Sequence, residues 1–174
     1  MVLGSSCKKD PTKNAMLPPA TQEGKNTVGF TMNGEVWVPY SKCQAFSNPC
    51  EEIYGASGGA TPNRIDFGFT RIRGSKSSHL TISSTGYGTI TSVGNKIDSI
   101  GVTYRPEDWA SGNSEMYRGI HFGGKFIITK FDKLNQIISG EFELVLLEQN
   151  GSGRTITLKD GRFDLKFNAC TCSK

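Results

Sequence analysis

The sequence predicts an all-β fold, either an antiparallel β-sandwich or a partly closed barrel of about eight to ten strands. Glycine is abundant, with 21 residues in a chain of 174, and aromatic residues make up 10% of it. Apolar and polar residues alternate with a period of two in several segments, as they do in half-buried strands. Asn-Gly and Asp-Gly pairs separate some of these segments, and such pairs are typical of tight antiparallel hairpins.

The first hairpin is predicted at Asn33-Gly34, because both positions of this two-residue turn require a positive φ. Pairing outward from the turn places Phe30 opposite Trp37, so that two large apolar side chains share one face. A second hairpin is predicted in the same way at 160–161.

Asp160-Gly161 has the composition of a hairpin turn. Pairing outward from it places Leu158 opposite Phe163, and the apolar residues on both sides of the turn then share one face. Turn chemistry and hydrophobic alternation therefore agree on a hairpin at this point.

Residues 41–63 are rich in loop-forming residues, with one short helical turn predicted around 51–54. Further strands are predicted by alternation at residues 65–69, 80–83, 88–91, 99–104, 120–128 and 142–146, and a turn is predicted at 134–135.

Charge and hydropathy exclude several classes of function. The 20 basic and 16 acidic residues are interleaved and give a net charge of +4, without the clustered Lys and Arg that nucleic-acid binding requires. No apolar run is long enough for a transmembrane helix. The two histidines, His79 and His121, are interpreted as solvent-facing residues without metal-ligand spacing. We expect no cofactor, no metal and no nucleic-acid partner.

Small residues at 4–6 precede Cys7, with Leu3 one position further back. This segment resembles the lipobox of bacterial lipoproteins, in which the cysteine carries a lipid. No basic and long apolar signal-peptide regions precede it, so we expect either a truncated start or a chance match. Residues 1–26 are interpreted as a lipobox remnant with a flexible, disordered tether or arm. Residues 27–174 are interpreted as a single all-β domain.

The cysteine count supports lipidation, because five cysteines leave one thiol over in an exported protein. If Cys7 is acylated, four cysteines remain as candidates for disulfides: Cys43, Cys50, Cys170 and Cys172. Their pairing is left open, as is the alternative of free thiols. A zinc site is disfavoured, because the spacings within both pairs differ from those of usual zinc ligands.

Three aromatic residues, Tyr104, Trp109 and Tyr117, flank the polar segment 105–116 and are candidate binding-loop residues. A flat aromatic side chain beside polar groups can stack on a sugar or a peptide. The alternative is that Trp109 covers one open end of the core.

Paired carboxylates can hydrolyse glycosides when they are held at a suitable separation. Glu107-Asp108 and the pair Glu141 and Glu143 are the candidates. Turn formation after Pro106 explains the first pair, and outward positions on one strand explain the second. No catalytic residue is assigned, and whether the chain is an enzyme is left open with a preference against it.

The segments 17–27, 33–39, 138–142 and 160–164, with the Cys-Lys-Lys-Asp run at 7–10, resemble a family of Bacteroidota lipoproteins of unknown function. The resemblance implies a signal peptide, export, a lipid on the cysteine as membrane anchor, and an all-β fold. It implies no activity. Phe30 stands where many members have a cysteine, so disulfides are not inferred from the family.

The expected function is that of an uncharacterised lipoprotein of the cell envelope, anchored through Cys7 to the periplasmic face or the cell surface of the outer membrane. Its domain is expected to bind a glycan or protein ligand without catalysis. The alternatives are a glycan-acting hydrolase with an unrecognised carboxylate site and a structural or assembly module.

Overall fold

The computed structural model describes residues 12–41, 52–57, 65–84, 93–94, 100–107, 116–120, 124–166 and 170–171. In this part of the chain, eleven strands form one antiparallel sheet that curls into a half-barrel. The prediction of an all-β, partly closed architecture is therefore confirmed. No helix in the described ranges is long and apolar enough to cross a membrane.

The strands are β1 (Thr27–Met32), β2 (Glu35–Trp37), β3 (Ile53–Ser57), β4 (Ile65–Arg73), β5 (Lys76–Ser84), β6 (Ile100–Arg105), β7 (Tyr117–Ile120), β8 (Gly124–Asp132), β9 (Ile137–Glu148), β10 (Thr155–Lys166) and β11 (Cys170–Thr171).

The order of the strands brings the two ends of the sheet towards each other. It is β11-β3-β4-β5-β6-β7-β9-β10-β1-β2, and β8 pairs with β9 beside this path. Beyond β2, Tyr40 forms a parallel bridge with Arg71 of β4. Its backbone N–H donates to Thr70 O at 3.0 Å, and its carbonyl accepts from Ile72 N at 2.7 Å. The chain that leaves one edge strand is thus hydrogen-bonded to a strand near the opposite edge.

Aromatic side chains fill the inner face of the half-barrel. Phe30 and Trp37 stack with their ring centroids 4.9 Å apart, and Phe126 and Phe163 stack at 5.6 Å. The largest fully buried side chains are Trp37, Phe30, Phe67, Phe69, Phe126 and Phe142. Because these rings pack against one another across the curl, the interior is a packed core.

The hairpin predicted at Asn33-Gly34 is confirmed. Asn33 has a φ of 52° and Gly34 a φ of 80°, as a two-residue turn of this kind requires. Phe30 is the register partner of Trp37, and both side chains are buried. Asn-Gly therefore fixed the turn and the register together.

The hairpin predicted at Asp160-Gly161 is wrong, because both residues lie inside the continuous strand β10. Between Leu158 and Gly161, strand β10 contains one residue more than the facing stretch of β9. It also contains one residue more than the facing stretch of β1 on its other side. This is a β-bulge. Asp160 adopts a φ of 52°, and the ring of Phe142 occupies the space where a Cβ of Gly161 would lie.

Two smaller predictions also change. The segment 120–128 was expected to form one strand, but it contributes to two, β7 and β8, which pair with different stretches of β9. Where a helical turn is expected around 51–54, strand β3 begins at Ile53, and residue 51 lies outside the described chain. The turn predicted at 134–135 is confirmed between β8 and β9.

The N-terminal arm of the described chain is fastened to the outer face of the sheet by Asp164, which is 1% exposed. Its carboxylate accepts hydrogen bonds from five donors: Thr21 Oγ1 (2.6 Å), Ser139 Oγ (2.8 Å) and the backbone N–H groups of Glu23 (3.0 Å), Gly24 (2.8 Å) and Lys25 (3.2 Å). We call this group the Asp164 clamp. The flexible, disordered arm predicted for residues 1–26 therefore does not extend through 21–25, while residues 1–11 lie outside the described chain.

Candidate functional site

Two arginines of β4 extend an apolar strand face. Phe67 and Phe69 are buried in the core, and every second side chain of a strand lies on the same face. Arg71 and Arg73 therefore follow them on the inner face, just before the turn at Gly74 leads into β5. The arginines belong to a polar group at this end of the half-barrel, the Arg71 cluster: Trp37, Arg71, Arg73, Ser78, Tyr104 and Glu107.

Both guanidinium groups contact the same carboxylate oxygen of Glu107, which follows the end of β6. Arg73 Nε donates to Glu107 Oε1 at 2.7 Å, and Arg71 Nη2 donates to the same oxygen at 3.4 Å. The side chain of Glu107 is 18% exposed and that of Arg73 29% exposed. Glu107 and Arg73 therefore form the solvent-facing part of the cluster, and Arg71 lies behind them.

A hydrogen-bonded row of uncharged groups lines the other side of Arg71. Trp37 Nε1 donates to Ser78 Oγ at 3.1 Å, and Ser78 is also hydrogen-bonded to the hydroxyl of Tyr104. Burial raises the pKa of Tyr104 above its ordinary value, which keeps the hydroxyl protonated at neutral pH. The guanidinium carbon of Arg71 lies 5.3 Å from the centroid of the Trp37 ring, in the range of a cation–π contact.

Arg71 combines deep burial with incomplete hydrogen bonding. The residue is 4% exposed, and its Nε has no hydrogen-bond partner in the described part of the chain. Ser41, which follows the Tyr40 bridge, is fully buried and its Oγ likewise has no partner there. Burial, followed by repulsion from Arg73, lowers the pKa of Arg71 from its ordinary value. A buried donor without an acceptor is costly, and a polar ligand group can offset that cost.

The predicted binding-loop aromatics do not form a loop cluster. Tyr104 lies in β6 and Tyr117 in β7, where they are register partners. They are 3% and 7% exposed and belong to the core. The prediction that these two rings are free to stack on a ligand is therefore wrong, because the sheet curls over the face on which they lie. Trp109 lies outside the described residues.

The candidate carboxylates occupy two different environments. Glu107 contacts two arginines, and Asp108 lies outside the described chain. Glu141 and Glu143 are exposed on the outer face, where their register partners include Arg162 and Lys125 respectively. They line a shallow concavity of about 180 Å³ together with Lys125, Phe142, Asp160, Gly161 and Arg162. This volume is below the roughly 300 Å³ at which small-molecule sites usually begin.

His79 lies in β5 and is half-buried, where the sequence indicated a solvent-facing residue at a loop edge. Its Nδ1 is 3.1 Å from Thr70 Oγ1. Burial, and then the charge of Arg105, lower the pKa of His79, so the ring is neutral at pH 7. His121 lies outside the described residues.

Most predicted cysteine sites fall outside the described chain, namely Cys7, Cys43, Cys50 and Cys172. The backbone of Cys170 lies in β11 and pairs with Tyr54 of β3, but its side chain is not described. In the described ranges, no group of three or more His, Cys, Asp or Glu residues could hold a metal ion.

Sequence reasoning missed Arg71 and Arg73, although a signal for them exists. The alternation of Phe67 and Phe69 continues without a break to these two residues. Two arginines in phase with buried phenylalanines are unusual, because charged groups are rarely buried unless they are paired. No family model, curated protein or solved structure matches this chain.

Proposed function

We propose that this chain is a cell-envelope lipoprotein, anchored through Cys7, whose β domain binds a ligand or partner without catalysis. The anchor is inferred from the lipobox-like segment and the odd cysteine count. The binding function is inferred from the Arg71 cluster at one end of the half-barrel.

The observation that carries the binding function is the unpartnered Nε of a nearly fully buried arginine. A guanidinium group presents its N–H donors in a rigid, planar fork that suits carboxylate and similar oxygen groups. Arg71 is held in place by Trp37 on one side and Glu107 on the other. A ligand oxygen that replaces Glu107 in front of Arg71 would therefore pair with a guanidinium that Trp37 already orients.

The surroundings of Glu107 give no support to the hydrolase alternative. Glycoside hydrolysis uses two carboxylates that flank the scissile bond, and Glu107 instead contacts Arg71 and Arg73. The hydrogen bonds that Glu107 accepts in the described chain come from these two arginines. The two arginines hold the carboxylate of Glu107 in an ion pair, which is not the arrangement of a glycosidase site.

The binding function is tested by screening the purified protein on an array of acidic and neutral glycans and peptides. For any ligand found, the affinity of Arg71→Lys is compared with that of wild type. Lysine keeps the charge and removes the Nε donor, and we expect affinity to fall by about tenfold or more, as for a lost charged hydrogen bond. Arg154→Lys, which alters the separate Arg154–Glu148 pair, is the matched control and should bind as wild type does.

Two outcomes would contradict the binding proposal. The first is a ligand whose affinity is unchanged in Arg71→Lys. The second is the absence of any ligand on the array for a protein that is folded, which would favour the structural or assembly module.

The anchor is tested by incorporation of labelled palmitate into the full-length product of the native gene. We expect label in the wild type and no label in Cys7→Ala. Equal labelling of the two proteins would refute lipidation at Cys7.

A further inference from the structure

The folded body of the protein begins well before the first strand. Besides the Asp164 clamp, Arg162 Nη1 donates to Pro18 O at 3.5 Å, and Lys130 Nζ donates to Gln22 O at 2.9 Å. The space above Gly29 is filled by Pro18, whose ring would clash with a Cβ at that position. The segment from Pro18 to Lys25 is thus packed on the outer face of the sheet.

The described chain reaches further, to a turn at its N-terminal end. Ala15 N donates to Thr12 O at 3.2 Å, and Thr12 is only 7% exposed. We call residues 12–16 the arm turn. Its buried threonine and its internal hydrogen bond indicate that the arm turn belongs to the folded body.

The distance from Cys7 to the arm turn is short. Only four residues separate Cys7 from Thr12, and an extended chain covers that interval in at most about 18 Å. The tether predicted from the sequence, residues 8–26, would have allowed roughly 70 Å between Cys7 and the first strand by the same measure. A lipid on Cys7 therefore holds the folded body close to the bilayer.

The exposed residues of the arm turn suit a lipid surface. Met16 is 86% exposed, and Lys13 and Asn14 are also exposed. Lys8 and Lys9 precede them directly after Cys7. A long apolar side chain among lysines is the composition of segments that lie in the headgroup region of anionic bilayers.

We propose that the arm turn is the membrane-facing surface of this protein, and that it rests on anionic lipid headgroups with Met16 directed into them. This inference rests on the proposed lipidation of Cys7. It goes beyond that proposal, because it states which face of the domain meets the bilayer and how far the domain can move from it. The alternative is a domain that is joined to its lipid by a long flexible tether and presents no particular face to the bilayer.

The experiment uses the full chain, lipidated in cells and reconstituted into vesicles of phosphatidylethanolamine and phosphatidylglycerol that contain nitroxide-labelled headgroups. An environment-sensitive dye is attached to a bio-orthogonal amino acid that replaces Met16. A second preparation carries the dye in place of Leu134, which is 91% exposed in the β8–β9 turn. A third carries the dye at position 16 with a flexible Gly/Ser linker of about 20 residues inserted between Lys9 and Asp10.

We expect the headgroup nitroxides to quench the dye at position 16 several-fold more strongly than the dye at position 134. The inserted linker should weaken the quenching at position 16, because the short connection to Cys7 no longer holds the arm turn at the bilayer. Equal quenching at positions 16 and 134 in the protein without the linker would overturn the inference. Intact-mass measurement of each sample separates the two proposals: a missing lipid on Cys7 refutes the anchor itself, whereas a lipidated protein with equal quenching refutes only the membrane-facing surface.

Discussion

Asp164 and Arg71 are both buried charged side chains, but their hydrogen bonding is very different. Asp164 is 1% exposed and its two oxygens accept five hydrogen bonds. Arg71 is 4% exposed, shares one carboxylate oxygen with Arg73, contacts one aromatic ring and leaves its Nε without a partner in the described chain. One charge is fully satisfied within the fold and the other is not.

The difference separates a structural fastening from a candidate binding group. A buried charge whose hydrogen bonds are all made contributes to stability, because its removal leaves several donors without an acceptor. A buried charge with an unmade hydrogen bond costs stability in the free protein. We therefore expect the Asp164 clamp to matter for folding and the Arg71 cluster to matter for binding.

The largest expected effect is that of Asp164→Ala. The substitution leaves the N–H of Gly24 and the hydroxyl of Ser139 buried without their acceptor, and we expect a loss of about 3 kcal/mol or more in the free energy of unfolding. Urea denaturation followed by tryptophan fluorescence measures it. Asp132→Ala, at the end of β8 next to the β8–β9 turn, removes hydrogen bonds that are solvent-exposed, so it is the control and should change stability far less. If both substitutions lowered the free energy of unfolding equally, the Asp164 clamp would be no more important for folding than a surface turn.

The Asp164 clamp should also make stability depend on pH. Burial alone raises the pKa of Asp164, but the hydrogen bonds from Thr21, Ser139 and the backbone outweigh it and lower the pKa to about 2 from the ordinary value of 3.8. The folded state therefore holds this proton less tightly than the unfolded state. The contribution of the ionised group is present above about pH 4 and is lost as the pH falls towards 2, and its size is about 2 kcal/mol.

Urea denaturation of the wild type and of Asp164→Asn across this range of pH tests the point. The wild type should lose more stability than the variant between about pH 4 and pH 2, because the amide does not titrate. If the free energy of unfolding of the two proteins had the same dependence on pH, the pKa of Asp164 would not be lowered by folding.

A matched pair of serine substitutions sharpens the comparison. Ser139 and Ser41 are 1% and 0% exposed. Ser139 Oγ donates to Asp164 at 2.8 Å, whereas Ser41 Oγ has no partner in the described residues. We expect Ser139→Ala to cost about 1–2 kcal/mol, and Ser41→Ala to be neutral or slightly stabilising. The same denaturation measurement applies, and a larger loss for Ser41→Ala would show that its hydroxyl is satisfied in solution.

A small effect on stability is also expected for Arg71→Met. Methionine can pack against Trp37, and Glu107 keeps its contact with Arg73 at 2.7 Å. Because the buried guanidinium is only partly satisfied, we expect a change of no more than about 1 kcal/mol. Ligand binding should nevertheless be lost. A destabilisation as large as that of Asp164→Ala would reassign Arg71 to the structural framework.

The two Gly-containing turn signals show how far local sequence reaches. Asn33-Gly34 forms the predicted hairpin, since its two strands pair with each other. At Asp160-Gly161 the alternation of apolar residues is interrupted. Leu158 before the pair and Phe163 after it are an odd number of residues apart, so in a regular strand they would lie on opposite faces. A hairpin and a one-residue bulge both correct such a change of phase. The bulge forms because β9 and β1 hydrogen-bond to β10 on both sides of it.

For the Arg71 cluster, too, local sequence determines one part and the tertiary structure the other. The alternation in β4 contains the information that Arg71 and Arg73 lie in phase with Phe67 and Phe69. The partner of these arginines, Glu107, comes from a turn more than thirty residues later in the chain, and no local pattern joins them. Tyr104 and Tyr117 were misjudged for the converse reason, because only the curl of the sheet decides which face of a strand is enclosed.

The sequence by itself determined the all-β class, the first hairpin, the outward positions of Glu141 and Glu143 and the alternation that fills the core. These features depend on the period of two in strands and on the φ values that a few turn residues accept. The tertiary structure alone decided that 160–161 is a bulge and that the arm from Pro18 to Lys25 is fastened. It also decided that Asp164 becomes a fully bonded carboxylate while Arg71 keeps an unpaired donor. Each of these depends on partners distant in sequence, whose hydrogen bonds and burial form only when the sheet has curled.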